Sequence, residues 1–145
     1  MRIFFLDEQP KVLVTYLKEA HVLSSILIAE FILKRTQNKF NLIRNSNKYF
    51  SKNDNLYKCI CQSKEEYTWM LELYEFLIAE KLYRWGGSHK SELLIPILSV
   101  VPKLMTNNVG GLTLPNKKEE RKEYVRYKDS ANLSWKKRNK PEWFN

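Results

Sequence analysis

The sequence predicts an all-α fold, a compact bundle of three to four helices around a buried N-terminal helix, joined by long polar loops. Three observations carry that expectation. Gly occurs 4 times and Pro 5 times in 145 residues, too few for a turn-rich β-sandwich or barrel. Apolar residues recur at helical spacing through two long stretches that lack Gly and Pro. Hydrophobic residues make up 43% and charged residues 28%, an ordinary globular balance. A chain of 145 residues is expected to form one domain, 1–145, with a core that needs no covalent staples.

Ile3 to Leu6 reads as a short extended segment. Pro10 suits a first helical turn, and one helix is expected from there to about Arg35. Leu13, Tyr16, Leu17, Ala20, Leu23, Leu27 and Phe31 mark its inward face. Beyond Ala20 it is apolar nearly all round, so it is expected at the centre. Thr36 to Gln62 is rich in Asn, Lys and Ser and reads as a long loop. Ser63-Lys64-Glu65-Glu66 is a capping box that starts a helix running to about Trp85. Tyr67, Met70, Leu71, Tyr74, Leu77 and Ile78 form its inward face, and Gly86-Gly87 ends it. Ser88 to about Leu104 is an apolar run in which Pro96 and Pro102 limit helix length. Thr106 to Asn116 reads as a loop, Lys117 to about Leu133 as a charged helix, and Ser134 to Asn145 as an aromatic and basic tail.

Several function classes drop out. Cys59 and Cys61 stand at i and i+2 and cannot staple a secreted fold, so free thiols in a reducing compartment are expected. The apolar stretch from Ala20 to Leu33 is interrupted by His21, Ser24, Ser25 and Glu30, which argues against a membrane span and for a soluble, cytoplasmic protein. No phosphate-binding loop, dinucleotide fingerprint or nucleophile elbow is present, so no cofactor is expected. A zinc site is not expected either, because Cys59 and Cys61 have atypical spacing and His21 and His89 are far apart in sequence.

Charge points to a polyanion. The formal net charge is +9, and 10 of the 25 Lys and Arg residues fall from Lys117 onward. In the tail, Trp135, Lys136, Lys137, Arg138 and Lys140 interleave rings with cations, a composition suited to phosphates and bases. The competing reading has Trp135, Trp143 and Phe144 pin the terminus to the core while the lysines are merely solvated.

Two further clusters qualify as sites. His21, Ser24 and Ser25 share one face of the long helix, which puts His21 at the floor of a cleft or makes it a satisfied core histidine. Arg84, His89 and Lys90 flank Gly86-Gly87, where free N–H groups at a helix start would suit a phosphate.

Three stretches in order carry a family resemblance. They are Leu17 to Leu23 around His21, Tyr67 to Ser91 ending in Arg84-Trp85-Gly86-Gly87-Ser88-His89-Lys90, and Tyr124 to Lys128 followed by Ser134 to Phe144. Together they resemble small phage proteins grouped with the pyrimidine-dimer DNA glycosylases of the endonuclease V type. The resemblance implies a helical DNA-binding fold and, in the type enzymes, excision of a damaged pyrimidine followed by strand cleavage. It implies an amino-terminal amine as nucleophile, here Met1, assisted by a carboxylate seven residues after the histidine. It also implies that His21, with Ser24 and Ser25 beside it, belongs to the reacting site. This chain departs from that pattern, because Ile28 occupies the carboxylate position and Glu30 lies about half a turn out of phase with His21. The segment Tyr49 to Asn55 lacks the histidines that many relatives carry there. Two expectations follow: a base-excision enzyme, or a non-catalytic member binding DNA, a nucleotide or a protein partner, for instance in phage counter-defence.

Overall fold

In a computed structural model of the chain, residues 2–41, 61–103, 105–106, 112–127 and 135–144 are described. Met1, the Tyr49 to Asn55 segment, Cys59 and the expected continuation of the last helix beyond Tyr127 lie outside them. The fold is all-α. In order come α1 (Pro10–Tyr16), α2 (Glu19–Asn41), α3 (Lys64–Trp85), a 3-10 turn (Lys90–Leu94), α4 (Ile95–Leu98) and α5 (Lys117–Arg126). Among the described residues, the one β-type pairing is an isolated bridge between Ser63 and Thr106.

The long N-terminal helix expected from the sequence is two helices. Leu17 turns to extended backbone (φ −74°, ψ 139°), and α2 restarts on the Lys18 carbonyl. The break leaves the last carbonyls of α1 without helical partners. Side chains from far along the chain take them: Arg84 donates to the carbonyls of Val14, Thr15 and Leu17, and Trp135 Nε1 donates to that of Tyr16. The break also resets the helical phase. Leu23 and Leu27, expected inward, are exposed, and Ala20 is exposed too. Val22, Ile26, Ala29 and Leu33 are the fully covered apolar positions of α2 instead.

Helix α2 also runs past Arg35 into the segment expected to be loop. Thr36 and Gln37 are buried and helical there: Thr36 Oγ1 accepts from the Cys61 N–H, and Gln37 Nε2 bonds Tyr67 Oη and the carbonyls of Ile97 and Val100. Those bonds dock α4 against the centre of the bundle.

Helix α3 follows its sequence pattern at both ends and along most of its inward face, except that Leu71, expected inward, is only partly buried while Leu73 and Trp69 are buried. Ser63 Oγ accepts from the Glu66 N–H at 3.2 Å, and the Glu66 carboxylate takes the Ser63 hydroxyl. Tyr67, Leu73, Tyr74, Leu77 and Ile78 are covered against α1 and α2, each worth about 1.5–3 kcal/mol as a fully buried large apolar side chain. Gly86 and Gly87 end the helix at φ 75° and 71°. A Cβ at either glycine would meet nothing within 4 Å, so the left-handed backbone, not crowding, demands glycine there.

Candidate nucleic-acid interface

His21 sits in the first turn of α2 in an aromatic cage, with the rings of Phe4, Tyr124 and Tyr127 around it at centroid separations of 5.9, 5.2 and 5.5 Å. Its Nδ1 is 2.6 Å from Tyr124 Oη, and the same oxygen accepts the Lys18 N–H at 2.8 Å. Burial pushes the Tyr124 phenol well up, so it stays protonated. Ser24 Oγ turns back to the His21 carbonyl, and Ser25 is buried. These side chains are packed into the fold, which corrects the expectation of a cleft floored by His21.

A cleft is found at other residues. A cavity of about 550 Å³ opens between Arg2, Phe5, Ile28, Trp69, Leu112 and Glu120, with Phe5 and Trp69 stacked at 5.4 Å. Ile28, at the position where the resemblance implies a carboxylate, faces this cavity. The acids lining it are Glu66 and Glu120, from α3 and α5. Glu120 accepts from the Phe5 N–H at 3.0 Å and pairs with Arg2. Glu30 is engaged away from it, accepting from Tyr74 Oη and Ser91 Oγ, both at 2.9 Å, as its helical phase requires. Burial by itself would raise the Glu30 carboxyl, yet hydrogen bonds from Ser91 and Tyr74 with the Lys34 charge hold it below the usual carboxylate range.

Arg84 does not face a phosphate. Its side chain is fully buried, and its N–H donors go to Glu80, Glu19 and the carbonyls of Val14, Thr15 and Leu17. Glu80 is in turn bound by Arg138 through Nε (2.7 Å) and Nη2 (2.9 Å). Burial pushes the Glu80 carboxyl up, but hydrogen bonds and charge from Arg138 and Arg84 outweigh it and keep the group ionised.

The turn after α3 also differs from a phosphate cradle. His89 Nδ1 caps the Ser91 N–H at 3.1 Å, and the Glu92 N–H bonds the His89 carbonyl, so these amides are occupied. Lys90 is exposed. In the tail, Trp135 and Arg138 are anchors, Trp143 and Phe144 pack among Tyr16 and Tyr124, and Lys136, Lys137 and Lys140 are exposed. Sequence reasoning missed Glu80, Tyr124, and the exposed rings Tyr83 and Trp85.

Among the described residues, no group of three or more His, Cys, Asp or Glu side chains is placed to hold a metal, and no helix is long and apolar enough to cross a membrane. Burial pushes the Cys61 thiol up to about 12, so it is a neutral core group. No family model matches the chain, and neither curated proteins nor solved structures give a match.

Proposed function

We propose that this chain is a DNA-binding protein on the endonuclease V-type helical scaffold, holding DNA through phosphate contacts and lacking the helix carboxylate of the excising enzymes. One observation carries the reading: three arginines and three little-exposed acids neutralise each other, while six lysines on the C-terminal half stand in solvent. Arg84, Arg121 and Arg138 are committed to Glu19, Asp7 and Glu80, and these acids have little exposure. Lys90, Lys118, Lys122, Lys136, Lys137 and Lys140 are exposed. Part of the excess of the +9 chain is thereby displayed as solvent-facing ammonium groups, which suit sequence-independent contact with phosphates. Gel-shift titration with duplexes of unrelated sequence tests it. Comparable affinity for all of them is expected, with a marked loss in a K136A/K137A/K140A variant; absence of binding at low salt contradicts the proposal.

The enzymatic reading has its own support in the cavity of about 550 Å³ beside Arg2, large enough for an extruded base and lined by two carboxylates. In that reading Glu66 or Glu120 replaces the missing helix acid, and the amine of Met1 is the nucleophile. Borohydride trapping on DNA with an abasic site decides between them, since a covalent adduct requires a nucleophilic amine.

A further inference from the structure

We propose that the end of α3 and the basic tail form a platform for single-stranded DNA, on which Tyr83 and Trp85 stack with unpaired bases while Lys90, Lys136 and Lys137 meet the phosphates. The inference rests on the DNA-binding reading above and narrows its substrate. Tyr67, Tyr74 and Tyr124 are wholly covered in this protein, yet Tyr83 is 55% and Trp85 45% exposed on the last turn of α3. Side chains this large are left in water at a cost in apolar burial, and base stacking is a use that recovers it.

The surroundings fix the class of partner. The Arg138 guanidinium lies 4.1 Å from the Tyr83 ring centroid while Glu80 grips it from beneath. This brings together two stretches of chain without Asp or Glu, Tyr83 to Ser91 and Trp135 to Pro141. Glu80 and Glu19, which these stretches contact, are already neutralised by Arg84, Glu19 also accepts the Lys136 N–H at 3.2 Å, and Glu92 and Glu142 stand just beyond the two stretches. Within the two stretches the outward side chains are predominantly cationic and aromatic, complementary to a polyanion with exposed rings.

Geometry favours a single strand over a duplex. Positions 83 and 85 are about 200° apart around a helix axis, so a strand crossing the end of α3 meets one ring on each side. Gly86 and Gly87 keep that end of the helix open, with no heavy atom within 4 Å of where a Cβ would stand. A duplex keeps its bases stacked internally and offers such rings no partner.

The test is fluorescence anisotropy of the full chain with a labelled oligothymidylate of about 16 nucleotides, against a duplex of the same length. Tighter binding of the single strand is expected. Trp85→Ala should weaken it about tenfold, Trp85→Phe should restore most of that loss, and Tyr83→Leu should weaken it independently, with thermal melts confirming each fold. Duplex binding at equal or higher affinity, or single-strand affinity unmoved by Trp85→Ala, overturns the platform and leaves the DNA-binding reading standing. Failure to bind either oligonucleotide overturns both.

Discussion

Arg84 uses every N–H of its guanidinium on the break between α1 and α2 and on Glu80 and Glu19. A lysine keeps the charge but offers only three donors from a point-like head. Arg84→Lys is therefore expected to lose at least about 2 kcal/mol of unfolding free energy in a denaturant titration, because buried carbonyls are left unpaired. A loss under about 0.5 kcal/mol, the range of ordinary surface changes, would contradict this role. The phase of α3 already held the sign: Arg84 stands seven residues, about two turns, beyond buried Leu77, on the same face. Its partners were not legible, because the carbonyls it takes lie 67–70 residues away. His21 is similar. The face it shares with Ser24 and Ser25 could be read from spacing, but Tyr124, 103 residues on, decides that the site is a packed cage. His21→Ala is expected to cost more than about 2 kcal/mol, by loss of packing and of the buried hydrogen bond to Tyr124. The buried carboxylates add a pH dependence. Glu80 and Glu30 are held below their unfolded pKa, so the stability they confer is complete above the unfolded carboxylate range and is lost as pH falls through the folded value. Melts from pH 7 downward should therefore show the midpoint drop below about pH 4, and Glu80→Gln should flatten that drop.

Helix α3 was legible from end to end because its signals are local: a capping box, an inward stripe in one phase, and glycines where φ turns positive. Ser63→Ala should cost about 1 kcal/mol, as a lost N-cap does. Gly86→Ala isolates backbone strain, since a methyl there meets nothing within 4 Å while φ 75° and ψ −175° suit only glycine. A loss of about 1–3 kcal/mol in thermal unfolding is expected, and none if the turn relaxes. The break at Leu17 had no such local mark, neither Gly nor Pro, because its cause is tertiary. A single helix drawn through it carries the wrong phase onward, which is why Leu23 and Leu27 read as core and stand exposed. The extension of α2 through Thr36 and Gln37 was hidden in the same way, since polar residues that look like loop are satisfied by Cys61, Tyr67, Ile97 and Val100.

At the scale of the molecule, the charge of +9 and its gathering toward the tail were visible in composition alone, whereas its division was not. Arg138 and Lys137 are neighbours in one basic run, yet one clamps Glu80 and the other is exposed. Sequence spacing cannot separate them, because the deciding partner lies 58 residues upstream. The tail is thus latched at two points and open between them: Trp135 and Arg138 fasten it, and Lys136, Lys137 and Lys140 are exposed. The central claim, that outward lysines make a phosphate-binding surface over an internally neutralised frame, is tested most directly by the salt dependence of duplex DNA affinity. With six to eight phosphates neutralised, log K should fall against log salt with a slope of about −5 to −7, roughly a thousandfold to ten-thousandfold between 50 and 200 mM. The K136A/K137A/K140A variant should lower the slope by about 2 to 3. A wild-type affinity that is flat across that range, or a variant slope equal to wild type, would contradict the account.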